Sequence, residues 1–170
     1  MRRRVQSFVL GLALIVAVGV MASLGARVLA EPMTGEPQHL AMETLTISTH
    51  DGARRFHVQV ANTEETREKG LMFRRAMPAD EGMIFDFFAP QPVSFWMRNT
   101  WIGLDIIFID GEGRVINVAA NARPMDETPL SSLGPARAVL ELNAGEARRL
   151  GIQPGDLVSD DQIFKSRRMN

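Results

Sequence analysis

The chain has 170 residues, with 19 basic and 20 acidic side chains, and it contains no cysteine. The lack of cysteine excludes a disulfide framework, a thiolate nucleophile, a lipid-modified cysteine anchor and a sulfur-ligated zinc site. Its length suits one domain that is stabilised by a hydrophobic core.

The first 30 residues are typical of an export signal. Arg2 to Arg4 precede an apolar stretch over residues 8–24, and Val28 and Ala30 occupy the positions where a signal peptidase needs small side chains. We expect cleavage before Glu31 and a periplasmic or secreted protein, and an uncleaved membrane anchor is the alternative. The mature chain would keep 15 basic residues against 20 acidic ones. This balance argues against nucleic acid as a partner.

Residues 31–41 are rich in proline and glycine and predict a flexible lead into a single domain over residues 42–164. The domain opens with a predicted hairpin, because the alternating segments 45–48 and 55–60 flank an Asp51-Gly52 turn. Phe56, Val58 and Val60 are expected to share one face of the second strand.

A spacing that occurs twice predicts two capped helices of about two turns each. In each copy an asparagine is followed after three residues by glutamate and after eight residues by glycine. The two copies comprise Asn62, Glu65 and Gly70, and Asn143, Glu146 and Gly151. The asparagine and glutamate can form a capping box, and the glycine can take the left-handed conformation that ends a helix. We interpret the pattern as structural; an anion site built from Arg67 and Arg148 is the functional alternative.

Six further β-like segments follow, at residues 83–88, 93–97, 104–110, 114–119, 137–142 and 157–163. Residues 110–113 predict a hairpin turn rather than a calcium loop, because they lack the series of oxygen ligands that such a loop needs. The pattern predicts a mainly β fold, a single antiparallel β-sandwich or barrel-like domain with two short capped helices. Residues 165–170 are predicted to form a solvated tail.

The familiar catalytic and cofactor motifs are absent from the chain, so no catalytic residue and no cofactor is predicted. His50 and His57 could approach each other across the first hairpin, but two histidines without a third ligand make a poor metal site. Four methionines could hold Cu(I) through their thioethers in an exported protein, although their spacing favours core packing. These are Met72, Met77, Met83 and Met97.

Both tryptophans lie in the segment from residue 95 to residue 105, beside several polar side chains. Aromatic walls next to a few polar groups are typical of ligand pockets. The candidate ligand-binding residues from this segment are Trp96, Arg98, Asn99, Thr100 and Asp105. Because Asp105 shares a strand face with two isoleucines, we expect it to be buried and bonded to the 96–100 segment or to Arg137.

Arg137 and Glu141 complete the candidate set. They share one face of their strand with Val139, while the opposite face of that strand is apolar. An ordinary solvated sheet face is the alternative to a binding site at these two residues.

Five motifs resemble those of domain-of-unknown-function family 192. They are REKGLMFR (67–74), EGMIF (81–85), FWMRNT (95–100), LDIIF (104–108) and PARAVLEL (135–142). The resemblance extends over about residues 45–158 and implies a compact β-sandwich or barrel-like domain, often exported, with no established biochemical role. Members often carry lysine and proline where this chain has Arg98 and Gly103. They also carry an aromatic residue in the loop at residues 128–132, whose absence here argues against ligand stacking from that loop.

The sequence is compatible with three functions. The first is a binding or accessory module of the cell envelope, with a pocket for a small molecule. The second is an enzyme in which Asp105 or Glu141 acts as a general base beside Arg98 or Arg137. The third is a structural or protein-binding domain, in which the same polar residues would pair with each other and leave no space for a ligand.

Overall fold

A computed structural model describes residues 35–160 and 162–164. The predicted export signal, its cleavage site and the predicted tail lie outside the described residues. The elements are β1 (Met42–Thr49), β2 (Gly52–Ala61), α1 (Glu64–Lys69), β3 (Glu81–Gln91), β4 (Ser94–Phe95), β5 (Leu104–Ile109), β6 (Val115–Ala122), β7 (Leu130–Ser131), β8 (Ala136–Asn143), α2 (Glu146–Leu150) and β9 (Leu157–Ser159). Within the described residues, no helix has the length and apolar character needed to cross a membrane.

Seven of the strands form one curled sheet in the order β6-β5-β8-β3-β2-β1-β9. Every pairing in it is antiparallel except that of β2 with β3. The two edges approach each other, since Arg114 pairs with Leu157 and the amide of Val158 donates to the carbonyl of Gly113 over 2.7 Å. The sheet is therefore a half-barrel, and the predicted mainly β, barrel-like fold with two short helices is confirmed. Strands β4 and β7 form a separate ribbon.

Both predicted hairpin turns are present. Strands β1 and β2 pair from Thr49 and Gly52 outward, and Gly52 has a φ of 110°. At the second turn, Oδ1 of Asp110 accepts the amides of Glu112 and Arg114, each over 2.8 Å. That carboxylate oxygen closes the turn between β5 and β6, as an aspartate at the start of a turn commonly does.

Two apolar clusters lie on opposite faces of the curled sheet. The inner cluster takes side chains from all seven strands, among them Ile47, Val58 and Ile107. The outer cluster covers β3, β5 and β8 with residues from the loops. Met77, Met83 and Met97 are buried in the outer cluster, so the predicted core role of these methionines is confirmed. No group of three or more His, Asp or Glu side chains in the described part of the chain could hold a metal ion.

The predicted asparagine caps are wrong at both helices. Helix α1 is capped by Thr63, which forms a capping box with Thr66. Helix α2 starts after Gly145 without a side-chain cap. Asn143 instead ends β8, and its Nδ2 donates to the carbonyls of Met77 and Pro78. The side-chain amide of Asn143 is therefore engaged in long-range hydrogen bonds and does not cap α2.

The glycines that end the two helices differ. Gly151 adopts the predicted left-handed conformation, with φ 71° and ψ 25°. Gly70 has a positive φ of 47°, but its ψ of −136° lies outside the left-handed helical region, so that part of the prediction is wrong. A Cβ at Gly70 would lie 3.2 Å from Cζ of Phe85, so the ring packs closely against this glycine.

The described part of the predicted lead makes hydrogen bonds with the domain. Nε2 of Gln38 donates to the carbonyls of Thr66 and Gly70 over 2.8 and 2.9 Å, which satisfies carbonyl groups at the end of α1. Arg74 in turn donates to the carbonyl of Gln38. Composition predicted flexibility here because these tertiary hydrogen bonds leave no signal in the local sequence.

Candidate functional site

A cavity of about 640 Å³ opens on the outer face of the sheet. Its walls are α1 with the residues that follow it to Met72, and the segment from Ser94 to Thr100, while Phe85, Phe87 and Glu141 contribute from the sheet. The volume lies within the range of about 300–1,000 Å³ that is usual for small-molecule pockets.

A tight turn from Met97 to Thr100 forms one rim of this cavity. The amide of Thr100 donates to the carbonyl of Met97 over 3.1 Å, and Asn99 has a φ of 56°. Asparagine tolerates this conformation better than most residues with a side chain. The turn is anchored to the sheet, because the side chain of Met97 is buried in the outer cluster. It therefore presents the side chain of Asn99 to the cavity from a rigid base.

Arg98 and Trp96 stand at the outer edge of the cavity. The guanidinium of Arg98 lies 4.2 Å from the centre of the Trp96 ring and forms an ion pair with Glu127 over 2.7 Å. Both side chains are exposed. An exposed pair of this kind contributes little to stability, so the stacked arginine mainly orders the edge of the cavity.

Glu141 is the buried polar group of this cavity. It lies on β8 between Met83 of β3 and Ile106 of β5, and only 4% of the residue is exposed. Burial raises the pKa of its carboxyl to about 8. In the described residues its carboxyl has neither a hydrogen-bond partner nor an ion-pair partner. At neutral pH the group is therefore mostly protonated and can both donate and accept a hydrogen bond.

Asn99 supplies a second unsatisfied polar atom. Its Oδ1 is buried and has no hydrogen-bond partner among the residues that the structure describes. Its Nδ2 contacts the sulfur of Met72 at 3.8 Å, which is a weak interaction. The cavity thus combines a carboxylic acid and an amide side chain with walls that mix charged, polar and aromatic groups.

Aromatic rings and a cation form the remaining wall. The rings of Phe85 and Phe95 meet edge to face with centres 4.9 Å apart. Arg67 lies 5.3 Å from the centre of the Phe87 ring and donates to the carbonyl of Asp86 over 2.9 Å. Among these wall residues, Arg67 was named only in the alternative anion site, and Phe85 and Phe87 were not predicted as site residues. The motifs REKGLMFR and EGMIF contain Arg67 and Phe85 and pointed to this part of the chain.

Asp105 is buried, as predicted, but its predicted partners are wrong. Its Oδ1 accepts the amide of Asn121 and its Oδ2 accepts the amide of Ala147, each over 2.8 Å. Ala147 belongs to α2 and to the inner cluster, so Asp105 faces the inside of the half-barrel. This carboxylate fixes the first turn of α2 against β5 and lies apart from the cavity.

Arg137 also lies outside the cavity lining. It forms an ion pair with Asp86, and its guanidinium is 5.8 Å from the centre of the Phe88 ring. The predicted pairing of Asp105 with Arg137 is therefore wrong. The structure brings together the other five candidates, which are Trp96, Arg98, Asn99, Thr100 and Glu141.

Residues 46–159 match the model of domain-of-unknown-function family 192, which is described as "Uncharacterized ACR". The chain belongs to this family. A comparison with curated proteins gave no match. The family therefore accounts for the fold and for the motifs around the cavity, and it assigns no activity to them.

Two solved structures are similar to the chain. A protein of unknown function from Novosphingobium aromaticivorans is 47% identical, with a TM-score of 0.70, and the match covers 74% of this chain and 94% of that one. A protein from Sinorhizobium meliloti, described as a candidate transcription regulator, is 41% identical, with a TM-score of 0.71, and the match covers 75% and 98% of the two chains.

Proposed function

We propose that the protein is an exported binding module for a small organic molecule, which occupies the cavity between α1 and the Ser94–Thr100 segment. The observation that carries this proposal is Glu141, a buried carboxyl without a partner among the described residues that lines a cavity large enough for a ligand. A ligand that reaches this carboxyl would supply the hydrogen bonds that the protein does not.

The carboxyl of Glu141 lies between Met83 and Ile106 on the outer face of the sheet, and its raised pKa is caused by desolvation. Its oxygens are not among the completely inaccessible atoms without a partner, so water or a ligand in the cavity can reach them. A ligand that replaces this water must supply equivalent hydrogen bonds. Binding sites commonly retain such desolvated polar groups at the expense of stability.

The chemistry of the cavity narrows the class of ligand. A protonated Glu141 offers one donor and one acceptor, and the side chain of Asn99 lines the cavity as well. Phe85, Phe87 and Phe95 offer flat apolar surfaces. The best match is a planar molecule that carries an N–H and a C=O group on one edge, such as a lactam, a cyclic imide or a nucleobase.

An enzyme remains a second candidate, because a carboxyl with a pKa of about 8 in a cleft is also typical of a catalytic acid. With that pKa, Glu141 would act as a general acid at neutral pH, and not as the general base expected from the sequence. Asp105 does not suit either role, because both of its oxygens accept backbone amides away from the cavity.

The proposal is tested by thermal shift on the exported form of the chain. The probes are small lactams, imides and nucleobases, each paired with its N-methylated analogue, which has lost the donor. A compound present at 100 times its dissociation constant should raise the free energy of unfolding by about 2.7 kcal/mol, which corresponds to several degrees in Tm. We expect the N-methylated analogue to give a much smaller shift.

Three variants distinguish binding at this site from nonspecific binding. Glu141→Leu removes the carboxyl, and Asn99→Gly removes the amide while it keeps the positive φ easy to adopt. Both should abolish the shift, while Glu112→Gln on the exposed β5–β6 turn should behave like the parent. The proposal is overturned if no probe shifts the parent, or if Glu141→Leu responds as the parent does. Turnover of a bound probe, with a rate that falls as the pH passes about 8, would favour the enzyme instead.

A further inference from the structure

A second cavity, of about 440 Å³, lies on the other side of the loop that follows α1. It is lined by residues 35–37 and His39 of the attached lead, by the loop residues Phe73 to Ala76, and by Trp101. The loop is shared, since Gly70 to Met72 line the first cavity and the residues after them line the second. None of the seven candidate residues from the sequence lines this second cavity.

Arg74 is the buried charge of this second cavity. Only 7% of the residue is exposed, and its Nη2 donates to the carbonyl of Gln38 over 3.0 Å. Its Nε is buried and has no acceptor among the described residues. Glu81 is near enough to raise the pKa of Arg74, against the larger lowering by burial, but it forms no ion pair with it. The guanidinium therefore has no direct ion-pair partner in the described part of the protein.

A second guanidinium lies at the same cavity. Arg75 is exposed, and its guanidinium lies 4.3 Å from the centre of the Trp101 ring. The ring of Phe73 meets that of Trp101 edge to face, with centres 6.0 Å apart. Against these two arginines, the lining contains one acidic side chain, the exposed Glu36. The cavity therefore carries a net positive charge.

The backbone around these arginines is held in a costly conformation. Phe73 has a φ of 65°, which is uncommon for a bulky side chain, and its amide donates to the carbonyl of Asn99 over 2.9 Å. Gly35 packs closely against the same ring. A Cβ at this position would lie only 2.4 Å from Cε2 of Phe73, so a larger residue would not fit. Such strain persists only where the surroundings enforce it, and it is frequent at ligand sites.

We propose that this second cavity binds the oxyanion of a small molecule, a carboxylate or a phosphate, between Arg74 and Arg75. A guanidinium presents its donors as a planar fork that matches the two oxygens of such an anion. The anion would accept from the guanidinium of Arg74 and supply the direct ion pair that it lacks. The buried arginine marks this site, just as the buried carboxyl marks the first, and the two proposals rest on different residues.

The test measures anion binding to the exported chain at constant ionic strength, with chloride as the reference anion. Inorganic phosphate and acetate are the two probes, and a rise in Tm with only one of them identifies which oxyanion the site takes. In a ¹H–¹⁵N spectrum, the Nε–H signal of Arg74 should move on titration with that probe. The proposal is overturned if neither probe raises Tm above the chloride reference, or if the Arg74 signal stays in place.

Variants assign the binding to this cavity. Arg75→Gln leaves the buried residues intact and should weaken the probe about tenfold, while Arg55→Gln, an exposed arginine on β2, should bind as the parent does. Arg74→Lys keeps the charge but loses the planar guanidinium with its paired donors. This variant should lower the affinity for the probe further. Equal binding by the parent and Arg75→Gln would overturn the assignment. Glu141→Leu should bind the anion normally, so failure of either proposal leaves the other intact.

Discussion

Two buried carboxyls on neighbouring strands have opposite environments. Asp105 on β5 pairs with Leu142 of β8, and the next pair along the ladder joins Ile106 to Glu141. Because successive side chains in a strand point to opposite faces, Asp105 faces the inner cluster and Glu141 faces the outer cavity. Asp105 accepts two backbone amides, whereas Glu141 has no partner in the described structure.

Asp105 supports the fold, whereas we propose that Glu141 is available to a ligand. Burial alone does not distinguish the two residues, since both are almost completely inaccessible. The number of satisfied hydrogen bonds does. Asp105 joins the start of α2 and strand β6 to strand β5, while the carboxyl of Glu141 makes no such bonds within the described residues.

The largest expected effect is the pH dependence that Glu141 imposes on stability. Its pKa is raised in the folded state from 4.5 to about 8, so the folded protein holds a proton that the unfolded chain has lost between these values. The stabilisation from the neutral carboxyl is complete below pH 4.5 and is lost as the pH rises through 8. At about 1.4 kcal/mol per pH unit, the free energy of unfolding should fall by about 4 kcal/mol between pH 5 and pH 8.

Glu141→Gln isolates this contribution, because glutamine is an uncharged counterpart of the protonated acid. Urea unfolding of the parent and the variant at several pH values gives the two slopes. We expect the variant to lose the decline that belongs to Glu141 while it keeps that of all other groups. Parallel curves for the two proteins would contradict the raised pKa and weaken the comparison with Asp105.

The next largest effect is expected from Asp105→Ala. The amides of Asn121 and Ala147 would lose their acceptor inside the fold, which should lower the free energy of unfolding by about 3 kcal/mol. Urea unfolding at pH 7 measures this loss, with Glu112→Ala on the exposed turn as the matched control. A loss below about 1 kcal/mol would show that α2 does not depend on this carboxylate.

The smallest effects are expected at the glycines that end the two helices. Gly70 lines the outer cavity, and Gly151 ends α2, the helix whose first turn Asp105 holds. At Gly70 a Cβ would meet the ring of Phe85 at 3.2 Å, and the backbone conformation is one that only glycine adopts easily. Gly70→Ala should therefore cost about 2 kcal/mol, against about 1 kcal/mol for Gly151→Ala in the ordinary left-handed conformation. Melting curves compare the two, and equal costs would show that the turn beside the outer cavity is unstrained.

The limits of sequence-based prediction are clearest at Asn143. It was predicted to cap α2 from its spacing to Glu146, which is a local rule. In the structure it ends β8, and its side chain donates to Met77 and Pro78, more than 60 residues away. The same holds for Gln38, whose bonds to the end of α1 attach a segment that was predicted to be flexible. Long-range partners of this kind leave no pattern in the neighbouring sequence.

The sequence by itself determined most of the strands, the two hairpin turns, the family and the segment that carries Trp96 to Thr100, because alternation, turn residues and motifs act over a few positions. Strand β7 was missed, since it lies in a segment that was predicted to be a loop. Only the tertiary structure decided which face each carboxyl meets. Alternation says that Asp105 and Glu141 lie on strand faces, but the curl of the sheet and the position of α2 decide which face is inside. Those features depend on pairings between distant strands, such as the parallel pairing of β2 with β3.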